Sequence, residues 1–350
     1  MCNVIFVILI SILLTGVHGR TIPAHQQIVT TIEDKNGQVY ECVDFYKQPT
    51  FTHPLFKNMS EVKRPSEYAV QGGKYRDIAF NGNGCPSGTI PLLRVNKNYS
   101  SEELKSNGPN ICTAVVRTRT DPNIKFFGGE GSPSTYKPVA DGPGQWSSAR
   151  IKLQNGPDSI EVGWMVNPTL FNDKEAHLYV RFTAGQNGCI NTQCPGFVHV
   201  GSEVPLGLIP DHYSQRGGQS YAWKFFIDQQ DDGNWWVSMD DDKYAIGYWP
   251  KTLFTGLANA ATEVEWGGEV SFALEEKVLP EMGNGRFPLY DTKSSAFMQH
   301  VTVVDETLHN VNPTNTEKFK SCQALYGVID AGYQGDYFGH LILFGGPLLP

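Results

Sequence analysis

After residue 19 the chain has no apolar run approaching the roughly 20 residues that a membrane-spanning helix needs, no cluster of lysines or arginines, and no repeat of fixed period. With a formal charge of −8 and no basic stretch, it is a poor partner for nucleic acid or an anionic membrane surface. The G-x-S-x-G turn of serine hydrolases and the H-E-x-x-H of zinc peptidases are both missing. No Cys/His pairs stand at ligand spacing, so the expectation is no metal and no cofactor. Asp240-Asp241-Asp242 reads as a solvated turn rather than a calcium site. Signals for long helices are also scarce.

What is present begins with an address. Met1 to Gly19 has an apolar core of about a dozen residues ending in Val17-His18-Gly19, the pattern of a secretory signal cut near Gly19, although it lacks the usual basic start. The mature protein is therefore expected to be secreted and extracellular. Asn58-Met59-Ser60 and Asn98-Tyr99-Ser100 are glycosylation acceptors, which suits that compartment. Loss of Cys2 with the signal leaves Cys42, Cys85, Cys112, Cys189, Cys194 and Cys322, an even set in an oxidising environment. Six cysteines allow fifteen pairings. Cys189 and Cys194, in G-C-I-N-T-Q-C-P-G, are close enough for a small loop staple.

Two zones follow the signal. From Arg20 to about Thr120 short extended runs mix with Pro, Lys and Asn; from about Asn123 glycines and aromatics punctuate alternating apolar stretches. The expected organisation is a signal at 1–19, a smaller N-terminal module at 20–120 and a larger β domain at 121–350. Period-two strands are predicted at Ser159 to Val166, His177 to Phe182, Gly196 to Val200, Ala222 to Asp228, Trp235 to Met239, Tyr244 to Tyr248 and His340 to Phe344. Asp231-Asp232-Gly233-Asn234 predicts a hairpin turn within Tyr221 to Met239. One short helix is expected at Pro250 to Ala261. Many short strands with glycine-rich turns point to an all-β fold, a sandwich or barrel-like domain.

Within this pattern, E-W-G-G-E-V-S-F (Glu265 to Phe272) places Glu269 inside an apolar strand. If Val264 to Leu274 is extended, Val270, Phe272 and Leu274 share the core face while Glu265, Gly267, Glu269 and Ser271 face away. Glu161 is placed in the same way in S-I-E-V-G-W-M-V, with Gly163 beside it. Glycines let another backbone approach, so Gly163, Gly267 and Gly268 are candidates for a groove floor. Trp266 joins them only if the Gly267-Gly268 pair forms a bulge that re-aims it; plain alternation puts it in the core. Two acids over such a groove can divide acid and base roles. The plainer reading is two solvated charges on an open strand face.

An ordered set of motifs resembles the plant neprosin family. V-Y-E-C-V-D-F-Y-K-Q-P-T-F-T-H-P-L-F-K-N (Val39 to Asn58) and G-C-P-S-G-T-I-P (Gly84 to Pro91) look like its activation peptide. I-E-V-G-W-M-V-N-P, G-C-I-N-T-Q-C-P-G-F-V, G-N-W-W-V, I-G-Y-W-P, W-G-G-E-V and F-G-G-P resemble its catalytic domain in order and spacing. The resemblance implies a secreted zymogen with an antiparallel β-sandwich, a glutamic endopeptidase that cleaves after proline, with its own prosegment as inhibitor. It implies Glu161 and Glu269 as the catalytic pair, ionised Glu269 activating water and protonated Glu161 donating, or the reverse. It also implies a Cys42–Cys85 bond within the prosegment. Cys112 and Cys322 are left to pair with each other or to stay free.

Self-cleavage is expected in the exposed stretch Arg117 to Asn123, after Pro122. Two departures from the family pattern stand out: V-R-F-T-A-G-Q-N-G-C is short, and the chain stops at Pro350 without a further cysteine. The alternative functions are a non-catalytic extracellular binding protein and a two-carboxylate glycosidase.

Overall fold

The computed structural model describes residues 28–52, 74–95, 110–121, 123–241, 243–273 and 277–347. The expected signal peptide, Asn58, Asn98, Pro122 and Leu274 lie outside the described residues.

The N-terminal module is a three-stranded antiparallel sheet of β1 (Ile28–Glu33), β2 (Val39–Asp44) and β3 (Thr89–Leu93), with helix α1 (Lys74–Phe80) between the last two. The Asp34 carboxylate makes the first turn by accepting from the backbone of Asn36 and Gln38. A disulfide joins Cys42 in β2 to Cys85 before β3. Val43, Phe45, Ile90 and Leu92 pack against Val198, Val200, Ala245 and Tyr248, so the small sheet completes its core on the larger unit.

That unit continues with β4 (Asn110–Thr118), β5 (Gly128–Pro133), β6 (Trp146–Asn155), β7 (Asp158–Val166), β8 (Ala176–Ala184), β9 (Asn187–Ile190), β10 (Val198–His199), β11 (Phe225–Gln229), β12 (Trp235–Met239) and β13 (Tyr244–Trp249). It ends with β14 (Glu263–Phe272), β15 (Ala296–Val304), β16 (Asn310–Val311), β17 (Thr316–Lys320), β18 (Gly327–Tyr333) and β19 (His340–Gly345). One antiparallel sheet runs β17-β4-β14-β6-β7-β8-β9. A second runs β10-β13-β12-β11-β5-β15-β19-β18, with β16 beside β15. The two pack face to face as a sandwich, because alternate residues of each strand are apolar. Ile151, Val162, Trp164, Val180, Val264 and Trp266 of the first sheet meet Phe225, Ile227, Val237, Met298, Ile342 and Phe344 of the second in one core. Two indoles tie the layers: Trp164 donates to the Ser134 carbonyl and Trp266 to the Glu130 carbonyl.

The predicted strands fall within or overlap observed ones, and β11 and β12 form the expected hairpin. The predicted helix at Pro250 to Ala261 does not form; only Lys251–Leu253 makes a 3-10 turn. Asp158, in β7, explains this. Its carboxylate accepts the backbone N–H groups of Thr255 at 2.7 Å and Gly256 at 2.6 Å, drawing the segment into an irregular loop.

The last strand of the 20–120 zone, β4, reaches into the large sheet. It pairs with β14 along Asn110 to Arg117 and with β17 on its other edge, so it is an inner strand of the seven-stranded sheet. Cys112 in β4 is bonded to Cys322 after β17, and Cys189 to Cys194. The stretch expected to be an exposed linker is therefore partly built in. Thr118 is buried and accepts from the Val264 backbone, and Arg117 pairs with Glu317 at 2.8 Å; Arg119 and Thr120 are exposed. A backbone held in a ladder cannot be drawn into a protease cleft.

Candidate active site

The outer face of the seven-stranded sheet is set by register. Across β14, β6, β7 and β8, Glu265, Lys152, Glu161 and Arg181 stand in one row. The next row holds Gly267, Arg150, Gly163 and Tyr179, and the one beyond starts with Glu269 and Ser148. Glu161 and Glu269 are thus on strands separated only by β6, with Arg150 between them. This face is closed off: Arg150 is 0%, Glu161 1% and Glu269 4% exposed.

Burying these charges is tolerable only because they neutralise one another. Arg150 reaches Glu269 Oε2 with Nη2 at 2.7 Å and with Nε at 3.3 Å. The same Nη2 lies 2.9 Å from Glu265, and Nε lies 3.6 Å from Glu161. Arg181 bridges the pair, Nε to Glu161 Oε1 at 2.8 Å and Nη2 to Glu269 Oε1 at 2.6 Å. The Tyr179 hydroxyl donates to Glu161 Oε1 at 2.8 Å. Trp146 covers Arg181, its ring 5.4 Å from the guanidinium carbon.

Burial alone would push the Glu269 carboxyl up, but Arg150, Arg181 and Lys152 outweigh it and hold Glu269 well below the usual carboxylate range. Glu265 is held down too, burial being overcome by Arg150 and Lys152 against the repulsion of Glu269. Burial and the Glu161 charge push the Tyr179 phenol well up, so it stays a donor. Among the described residues Glu161 makes its polar contacts with donors: Tyr179, Arg181 and Arg150.

The glycines have a different cause from the one expected. A Cβ on Gly163 would stand 2.0 Å from the Ala149 carbonyl oxygen, and one on Gly267, whose φ is +145°, 2.4 Å from that of Ala114. They are required by the approach of neighbouring strands of the same sheet. Gly268 and Trp266 do not belong to this face: a Cβ on Gly268 would meet Met282 and Phe344, and Trp266 is fully buried between the sheets. Alternation holds through the glycine pair, and no bulge re-aims the indole.

Arg150, Arg181 and Tyr179 were not singled out from sequence. Their signal was available: A-R-I and V-R-F each set a cation in an apolar alternation, as E-V and I-E-V do for the acids.

The N-terminal module reaches this face. Leu93 and Val95 pack against a buried cluster that includes Trp146, Met165 and Tyr179. Elsewhere it caps the edge of β10. The Gln48 amide accepts from His199 N at 2.8 Å and donates to His199 O at 3.1 Å, and Thr50 donates to the Phe197 carbonyl.

Comparison with known proteins finds that residues 143–347 match the family model described as Neprosin. Residues 31–119 match the one described as Neprosin activation peptide. Among solved structures, scytalido-glutamic peptidase with a transition state analog inhibitor is similar at a TM-score of 0.39 and 8% identity, over 69% of this chain and 100% of that one. SCP-B, a member of the Eqolisin family of peptidases in complex with the tripeptide Ala-Ile-His, is similar at a TM-score of 0.38 and 5% identity, again over 69% and 100%. Likeness of that degree is too slight to bear on function.

Proposed function

Because the chain belongs to the neprosin family, we propose that it is the secreted zymogen of a glutamic endopeptidase that hydrolyses peptide bonds, with a preference for the bond after proline. The observation that carries this reading is the buried pair Glu161 and Glu269, brought to one sheet face and braced by two arginines. Surface ion pairs need no such enclosure, and charges removed from water at this expense are typical of reacting sites.

Glu269 is the base. Held ionised by Arg150 and Arg181, it remains a carboxylate in acid, where an ordinary one is protonated, and takes a proton from the attacking water. Glu161 completes the pair: its oxygens fix Tyr179 and Arg181, and a proton-donating role for it requires Arg181 to turn aside. The N-terminal module, 20–120 in this reading, acts as the inhibitor by laying Leu93 and Val95 on the outer-face cluster. The catalytic domain, 121–350, shares β4 with it; wherever the chain is cut, Cys112–Cys322 keeps that strand attached. Carbohydrate on Asn58 and Asn98 belongs to the same secretory route.

The test is to incubate purified protein in acid, add a proline-containing peptide, and read product masses. Products ending in proline support the reading; an intact peptide overturns it. One observation favours a second reading, a peptide-binding protein without turnover. The Arg150 guanidinium stands between the carboxylates and pairs with both, which neutralises the two acids with no reaction needed to account for them. Saturable binding of the same peptide with no product would establish that alternative.

A further inference from the structure

Arg150 carries more donors than its partners use. Its Nε and Nη2 face Glu269, Glu265 and Glu161, while Nη1 is buried without a hydrogen-bond partner among the described residues. An unpaired buried donor normally costs free energy, and one that persists calls for a reason. The rest of the guanidinium is fixed by four contacts to the three carboxylates.

We propose that Arg150 is a catalytic residue of the peptide hydrolysis described above, its Nη1 donating to the scissile carbonyl oxygen and carrying the negative charge that oxygen gains. This rests on the peptidase reading and assigns the oxyanion site within it. Water attacks the carbonyl carbon as Glu269 removes its proton, and the carbonyl π electrons move onto oxygen. Arg150 Nη1–H hydrogen-bonds that oxyanion and keeps its own proton. When the carbonyl re-forms, the C–N bond breaks and the leaving nitrogen takes the proton back from Glu269. A fixed donor aimed where charge develops needs no reorganisation at the moment of reaction. It also frees Glu161 from having to be a proton donor. Arg181 is a positioning residue by contrast: its Nε and Nη2 are spent on the two carboxylates.

The experiment compares matured wild type with Arg150→Gln and Arg150→Lys in full pH–rate profiles. Losing the guanidinium relieves the hold on Glu269, so the acid limb of Arg150→Gln should move to higher pH. On the plateau above that limb, kcat should still be down about 10²- to 10³-fold with KM little changed. A residue acting only through Glu269 would regain full kcat on the plateau, and a plateau kcat within about threefold of wild type, the scatter typical of individual contributions, overturns the proposal.

Wild type bound to a phosphinate peptide, an anionic tetrahedral mimic, gives a readout independent of variant folding. A phosphinyl oxygen about 3 Å from Arg150 Nη1 supports the assignment, and one placed away from it overturns it. If wild type cleaves no peptide, the peptidase reading fails and Arg150's role with it. If wild type cleaves and Arg150→Gln keeps its plateau, only the Arg150 assignment fails.

Discussion

The two faces of the seven-stranded sheet are made by the same strands, one residue apart, and around the two glutamates both are buried. On the inner face Ile151, Val162, Trp164, Val264 and Trp266 are buried by packing against the second sheet. On the outer face Arg150, Glu161, Glu265 and Glu269 are buried as well. Apolar burial is non-directional, so the inner face needs only volume and shape. Each outer-face charge needs a counter-charge at hydrogen-bond distance, and replacing such a network by apolar residues is often neutral or stabilising. The difference teaches that the inner face answers for stability, while the outer face is arranged for something else. In the reading above, that is chemistry.

The largest effect expected from breaking this comparison is on rate. Glu269→Gln keeps the volume but cannot take a proton, so kcat should fall by about 10³-fold or more; because it also strips a counter-charge from buried Arg150 and Arg181, it should unfold at lower urea than wild type at neutral pH. Glu161→Gln should cost somewhat less, about 10²-fold, because it loosens Arg181 and Tyr179 without removing the base. Stability should show the opposite ranking of faces from intuition. Arg150→Leu takes the ion-pair partner from Glu265 and leaves Glu269 to Arg181 alone, and should cost about 3–5 kcal/mol, whereas Ile151→Val, the next residue on the inner face, should cost about 0.5–1.5 kcal/mol. Urea denaturation of both variants checks this.

The acids were legible in the sequence because a period-two pattern assigns faces without knowing which strands are neighbours. Their partners were not. That Arg150 lies between Glu161 and Glu269 depends on β6 separating β14 from β7, a pairing of strands more than a hundred residues apart that no local pattern encodes. The same long-range cause placed β4 in the large sheet and let Asp158 take the N–H groups of a helix-like segment 97 residues on. The disulfide of Cys112 with Cys322, left open by spacing, follows from β4 lying beside β17.

Two smaller effects concern the joint between the module and the sandwich. His199 is fully buried there, with Nε2 3.0 Å from the Val204 carbonyl, and burial pushes its imidazole down to about 4 against the Val204 and Pro91 carbonyls. Released from the joint it would titrate near 6.5. Docking is therefore unaffected above that value, weakens as pH falls from about 6.5 to 4, and weakens no further below. Glu203 has the opposite sign: burial pushes it up despite Arg76, 3.4 Å away, with Asp77 adding to the rise, so its protonation favours docking. The His199→Gln variant should need more acid to mature, by roughly one pH unit, read as the pH at which half the precursor is processed. Processing that is unchanged would remove His199 from the joint's pH response. The smallest effect is a mobility difference: the strand carrying Cys112 should stay with the sandwich on non-reducing gels after maturation, and any fragment bearing it should separate only on reduction.

The most direct test of the outer face as a reacting site is side-by-side hydrolysis of one proline-containing peptide in acid by matured wild type and by Glu269→Gln, with products identified by mass. Cleavage by wild type alone, leaving proline at the new C-terminus, is the predicted result. Equal cleavage by the two proteins, or none by a folded and matured wild type, would contradict the account.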